Sequence, residues 1–130
     1  MTSTQTILLD TDFAIDFLRG NLEMIEIIKP FWEKKIAFLS LLSVYELYAG
    51  MRPDEKEVTD NFINACQLEP LTLEITKKAG EYRSRYRAMG LTLSIVDCLV
   101  AETAKTNNHL IATKNVKHFP EKEYLFSYQI

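Results

Sequence analysis

A chain of 130 residues, 47% of them hydrophobic, is long enough for one hydrophobic core and fits one domain over residues 1–130. Its formal net charge of −3 argues against coating nucleic acid by bulk electrostatics, but leaves room for an enzyme with a local acidic metal site and a local basic path. No apolar run approaches the roughly 20 residues needed to cross a bilayer. Met1 to Thr6 carries neither the charge nor the apolar stretch of a secretory signal, so a cytoplasmic protein without a membrane partner is expected.

Thr6-Ile7-Leu8-Leu9, ending in Asp10, reads as a buried parallel strand. A helix is expected from about Asp12, with Phe13 and Phe17 at helical spacing and Gly20 as its stop. Leu22 to Ile28 is helical again, and Pro30 should break or kink it before Phe31-Trp32. Ile36 to Leu39 is a second strand. Ser43 is expected to open a helix that ends near Gly50, with Pro53 beyond it.

Asp54 to Cys66 reads as a helix, and Leu68 to Leu71 as a short strand that Pro70 places near an edge. Leu73 to Met89 is strongly helical, with Ile75, Ala79, Tyr82, Tyr86 and Met89 on one face and Glu74–Lys78 and Glu81–Arg85 as pairs. Ser94 opens a helix to about Thr106, His109 to Ala112 is a strand, and Tyr124 to Tyr128 is a candidate final strand. Strands alternating with helices predict a three-layer α/β/α sandwich around a mainly parallel sheet. Cys66 and Cys98 fall inside helical patterns with no zinc spacing, which suits buried thiols in a reducing cytosol.

Ligands of open α/β sheets bind beyond the carboxyl ends of the strands. Asp10 and Asn115 follow strands there, while Glu46 and Asp97 lie one turn into helices expected to open at Ser43 and Ser94. Ser43-x-x-Glu46 and Ser94-x-x-Asp97 also resemble capping boxes, and a turn or cap role is open to Asp10-Thr11-Asp12, with Asp12 the better cap. A carboxylate directly after Ile7-Leu8-Leu9 is semi-buried and needs a partner. The chemistry that would want all these acids is phosphodiester hydrolysis around Mg²⁺, or Mn²⁺, both of which take oxygen ligands. His109 and His118 are too few and wrongly spaced for zinc, and the isolated glycines form no phosphate loop.

At these residues the sequence resembles a PIN domain, in particular the VapC-type toxins of bacterial toxin–antitoxin pairs. The resemblance is carried by Leu8-Leu9-Asp10-Thr11-Asp12 with Ile15 to Gly20, then Ser43 to Gly50, Ile95 to Ala101 and Leu110 to Phe119, in that order along the chain. It implies an endoribonuclease with Asp10, Glu46 and Asp97 as metal-coordinating acids. It also implies a homodimer silenced by a cognate antitoxin. Many members carry a fourth acid about where Asn115 stands and an Asp where this chain has His118, and Asp12 replaces a more usual Asn. One strongly bound Mg²⁺ is therefore expected.

In this reading Asp10 and Asp97 hold the ion, Glu46 is a third ligand or orients water, and Asn115 with Thr113 bonds the site or substrate. Thr11, Asp12, Arg19 and Lys114 are supporting or substrate-touching candidates, with Lys117 also nearby in sequence. The cluster Lys77, Lys78, Arg83, Arg85 and Arg87 is either a solvated face or a phosphate-tracking stripe. Phe31-Trp32 is the preferred piece of an antitoxin- or dimer-binding groove. The rival readings are a DNA or structure-specific nuclease on the same scaffold, and a degenerate binding module.

Overall fold

The computed structural model describes residues 5–127, so most of the leading Met1 to Thr6 segment and the end of the candidate strand at Tyr128 lie outside the described residues. Four strands, β1 (Thr6–Leu9), β2 (Ala37–Ser40), β3 (Gln67–Glu69) and β4 (His109–Ala112), form one parallel sheet in the order β3-β2-β1-β4. Around it stand α1 (Thr11–Leu18), α2 (Leu22–Glu33), α3 (Leu41–Gly50), α4 (Lys56–Ala65), α5 (Leu73–Ala88) and α6 (Ile95–Thr106).

Alternation along β1 divides the core. Ile7 and Leu9 join Ala37, Leu39 and Ala112 beneath Phe13, Ile28, Leu47 and Phe62 of the first four helices. Leu8 turns the other way with Ile111, against Tyr82, Cys98, Val100 and Ala104 of α5 and α6. Both sheet faces are therefore covered, which is why the strands read as continuous apolar runs. The expected three-layer α/β/α sandwich is the observed architecture.

Several boundaries differ from the sequence expectation. The helix after β2 is capped by Ser40, whose Oγ accepts from the Leu42 amide at 3.1 Å, and not by Ser43, which is fully buried inside α3. The strand runs straight into the helix, so the first hydroxyl available makes the cap. For the same reason Asp10, and not Asp12, caps α1.

Pro30 does not end α2, which continues to Glu33. The proline is on the exposed side of the helix, where water can take the place of the hydrogen bond it removes. The predicted helix from Asp54 begins instead as a 3₁₀ turn over Pro53–Glu55 and becomes α4 at Lys56. The short strand falls at Gln67–Glu69, on the sheet edge, with Pro70 just past it. Met89 lies beyond α5 and is 71% exposed, because the helix winds its last turn away from the core. The final strand reduces to one parallel bridge, Ile111 to Leu125, with the Phe126 amide donating to the Ile111 carbonyl at 2.8 Å.

Candidate active site

Asp10 leaves β1 directly into α1, and its position is set by backbone geometry at that junction. Oδ1 accepts from the Thr11 amide at 3.0 Å as the helix cap, and Oδ2 accepts from the Thr113 hydroxyl at 2.8 Å. Only 4% of the residue is exposed. Burial pushes its pKa up to about 6; the Thr113 hydroxyl opposes the rise, and the negative charges of Asp97 and Asp12 add to it.

Glu46 is half-buried in the second turn of α3, so it cannot complete a capping box with Ser43. Its Oε1 accepts from the Thr11 hydroxyl at 2.5 Å, and Thr11 also lies 2.9 Å from the buried Ser43 hydroxyl. Asp97 is in the first turn of α6. Ser94 caps that helix by accepting from the Asp97 amide at 3.0 Å, while the Asp97 carboxylate faces the His118 Nδ1 at 3.3 Å. Asp12 is exposed in the first turn of α1 and accepts from the Asn115 side-chain amide.

Asp10, Thr11, Asp12, Glu46, Ser94, Val96, Asp97 and His118 line one open pocket of about 300 Å³ beyond the carboxyl ends of β1 and β2. The three principal candidates therefore come together, joined by Thr11 and Asp12. Thr113 supports Asp10 from β4. Asn115 stands outside the lining, its amide donating to the Thr113 hydroxyl at 2.9 Å and its side chain reaching Asp12.

The cations do not join the acids. Arg19 pairs with Glu55 at 3.7 Å on the rim of a neighbouring pocket that it shares with Ile15, Leu47, Met51 and Glu46. Lys114 pairs with Asp16. On α5, Lys78 binds Glu74 at 2.9 Å, and Arg83 donates to the Leu93 carbonyl at 2.8 Å. Arg85 takes Glu121 at 3.6 Å in place of the expected Glu81 and stacks on Tyr82 and Tyr86, so much of the basic stripe is already engaged.

Phe31 packs edge-on to Phe126, whereas Trp32 lines an apolar groove of about 400 Å³ with Phe17, Ile25, Val58 and Phe62. His109 is buried between Glu69 and the Thr6 hydroxyl, 2.5 Å from the latter. His118, which stands where the resemblance expects an Asp, lines the pocket and faces Asp97. Its place depends on the 3₁₀ turn Val116–His118, which folds the chain back over α6 and leaves no periodic signal.

Among the described residues no trio of His, Cys, Asp or Glu side chains is already drawn around a point where an ion would sit. The donor set nevertheless fits a hard divalent cation: four carboxylates rim the pocket, one of them buried and held at a raised pKa partly by its neighbours' charge. Positive charge supplied there would relieve both burial and mutual repulsion.

Residues 7–122 match the PIN domain family. The chain belongs to the PIN-domain family. This PIN domain is 32% identical over 119 residues to "Ribonuclease VapC10" of Mycobacterium tuberculosis, covering 92% of this chain and 90% of the relative. It is 33% identical over 117 residues to "Ribonuclease VapC19" of the same organism, covering 87% and 91% respectively. Its fold is similar to a chain of a toxin–antitoxin complex from Klebsiella pneumoniae, with a TM-score of 0.81 and 20% identity over 96% of this chain and 100% of that one. A chain of VapBC2 from Rickettsia felis, bound to a promoter DNA fragment, gives a TM-score of 0.81 at 19% identity, covering 94% and 96%. No helix of the PIN domain among the described residues is long and apolar enough to cross a membrane.

Proposed function

We propose that this PIN domain is a Mg²⁺- or Mn²⁺-dependent endoribonuclease that hydrolyses RNA phosphodiester bonds and serves as the toxin of a toxin–antitoxin pair. One observation carries the reading: a buried carboxylate, Asp10, shares a pocket with Asp12, Glu46 and Asp97 at the carboxyl edge of a parallel sheet. The curated relatives, both ribonucleases by name, support the choice of RNA.

Asp10 and Asp97 would hold the ion, with Glu46 as a third ligand or as the group that orients the attacking water. Such an ion, when bound, supplies a water of lowered pKa and offsets charge gathering on the phosphate. The chain's own residues pre-set this arrangement. Thr113 and the Thr11 amide fix both Asp10 oxygens, so the carboxylate cannot swing away. The Thr11 hydroxyl, itself against Ser43, holds Glu46 toward the pocket. Asn115 keeps Asp12 at the rim.

An antitoxin is the expected protein partner, and the apolar groove at Trp32, Phe17 and Phe62 suits part of its contact. The exposed Leu41, Tyr45 and Tyr48 on α3 suit a homodimer. Two buried free cysteines suit a reducing cytoplasm.

The test is cleavage of total RNA in Mg²⁺, with and without EDTA, by native protein, Asp10→Asn and Asp97→Asn. Cleavage by the native protein alone, abolished by EDTA, is the expected result. Equal cleavage by all three proteins overturns the assignment, and no cleavage by any of them favours a binding module.

A further inference from the structure

Besides its carboxylates, the acidic pocket is lined by one imidazole, that of His118. The residue ends the 3₁₀ turn Val116–His118, with its amide bonded to the Asn115 carbonyl at 2.9 Å. The next residue, Phe119, is 2% exposed and buried against α6, so the turn is anchored where it meets the core. The ring itself is more than half exposed and lies over Asp97.

The distance between the two groups bears on their role. Nδ1 stands 3.3 Å from the Asp97 Oδ2, longer than the usual range of about 2.7–3.2 Å for an N–H···O hydrogen bond. Two adjacent ligands on an octahedral ion, each about 2.1 Å from it, are separated by about 3.0 Å. The pair thus stands just outside both spacings, and a side-chain movement of about 0.3 Å would bring the two groups to neighbouring positions on one cation. No other side chain among the described residues hydrogen-bonds the Asp97 carboxylate.

Resting on the metal-site reading above, we propose that His118 supplies an imidazole nitrogen beside Asp97 to the divalent ion, making a mixed oxygen–nitrogen site. Mg²⁺ prefers an all-oxygen shell, whereas first-row transition ions accept imidazole readily. The site would therefore select Mn²⁺ over Mg²⁺ by its ligand set and not only by availability.

The experiment measures metal binding by the RNA-free protein. Mn²⁺ affinity is read by calorimetry, Mg²⁺ affinity by competition against Mn²⁺, and the ligand atoms by pulsed electron paramagnetic resonance of the Mn²⁺-loaded protein. The native protein should show nitrogen hyperfine coupling. His118→Gln should abolish that coupling and weaken Mn²⁺ about tenfold while changing Mg²⁺ less than about twofold. If native protein shows no nitrogen coupling, or if His118→Gln weakens both ions alike, the residue only orients Asp97 and the proposal is wrong. Asp10→Asn separates the two levels. Mn²⁺ that binds native protein, is lost in Asp10→Asn and is untouched by His118→Gln overturns the histidine ligand alone. Native protein that binds no Mn²⁺, or binds it equally well as Asp10→Asn, overturns the metal site with it.

Discussion

Asp10→Asn should make the metal-free protein more stable at alkaline pH while removing its chemistry. The native carboxyl is pushed up to about 6 in the fold against 3.8 for a solvated aspartate, with burial as the chief cause. At about 1.4 kcal/mol per pH unit, the fold prefers the neutral carboxyl by about 3 kcal/mol. A raised acid contributes fully to stability below the unfolded value, and that contribution is lost as pH climbs through about 6.

Asparagine cannot ionise, so it escapes the loss. It does forfeit one of the two contacts that Oδ1 and Oδ2 accept, from the Thr11 amide and the Thr113 hydroxyl, at a cost of about 1 kcal/mol. The net gain at pH 8 is then about 2 kcal/mol. For a chain of this length that raises Tm by about 8 °C. Near pH 4 the advantage should vanish, and the two proteins should melt within a few degrees of one another. Thermal unfolding followed by circular dichroism in EDTA at pH 4 and pH 8 reads both limits. An Asp10→Asn protein that melts at or below the native one at pH 8, or a gap that does not change with pH, would refute the burial argument.

Divalent cation should raise the Tm of the native protein but not that of Asp10→Asn or Asp97→Asn; at tenfold the dissociation constant the gain is about 1.4 kcal/mol. Thr11→Val removes the hydroxyl between Ser43 and Glu46. Urea unfolding should show a loss of about 1–2 kcal/mol, accompanied by slower RNA cleavage because Glu46 is released. Lys105 bridges the buried Glu102 and Glu121 at 3.0 and 2.9 Å, over the rings of Tyr82 and Tyr124. Lys105→Met leaves Glu102 buried without its cation and should cost about 3 kcal/mol in urea unfolding, while the folded variant cleaves RNA at the native rate.

The strands and the gathering of the acids were legible because they rest on strong signals. Ile7-Leu8-Leu9 and Leu110-Ile111-Ala112 are apolar on both sides of the sheet, and that demands burial on both faces. Caps were less legible, since a serine three residues before an acid has the same local form at Ser43 and at Ser94. Only the point where β2 stops makes Ser40 the cap and frees Glu46, whereas no strand runs into the helix at Ser94. Pro30 looked like a break because sequence does not say which side of a helix meets water. Arg19 and Lys114 are near the acids along the chain, yet their side chains turn to Glu55 and Asp16, a choice made by tertiary neighbours. His118 needed the turn after Asn115 before it could be placed at all.

The pairing of Asp10 with Thr113 spans 103 residues, and β1 finds β4 across the same interval. During synthesis on the ribosome, then, the first strand and its carboxylate emerge long before the hydroxyl that holds them. Asp97 and His118 also arrive in the last third of the chain. Long-range parallel pairing of this kind forms late and slowly. A nascent chain consequently carries no assembled acidic pocket until the segment through Thr113 and His118 has emerged and β4 has paired with β1.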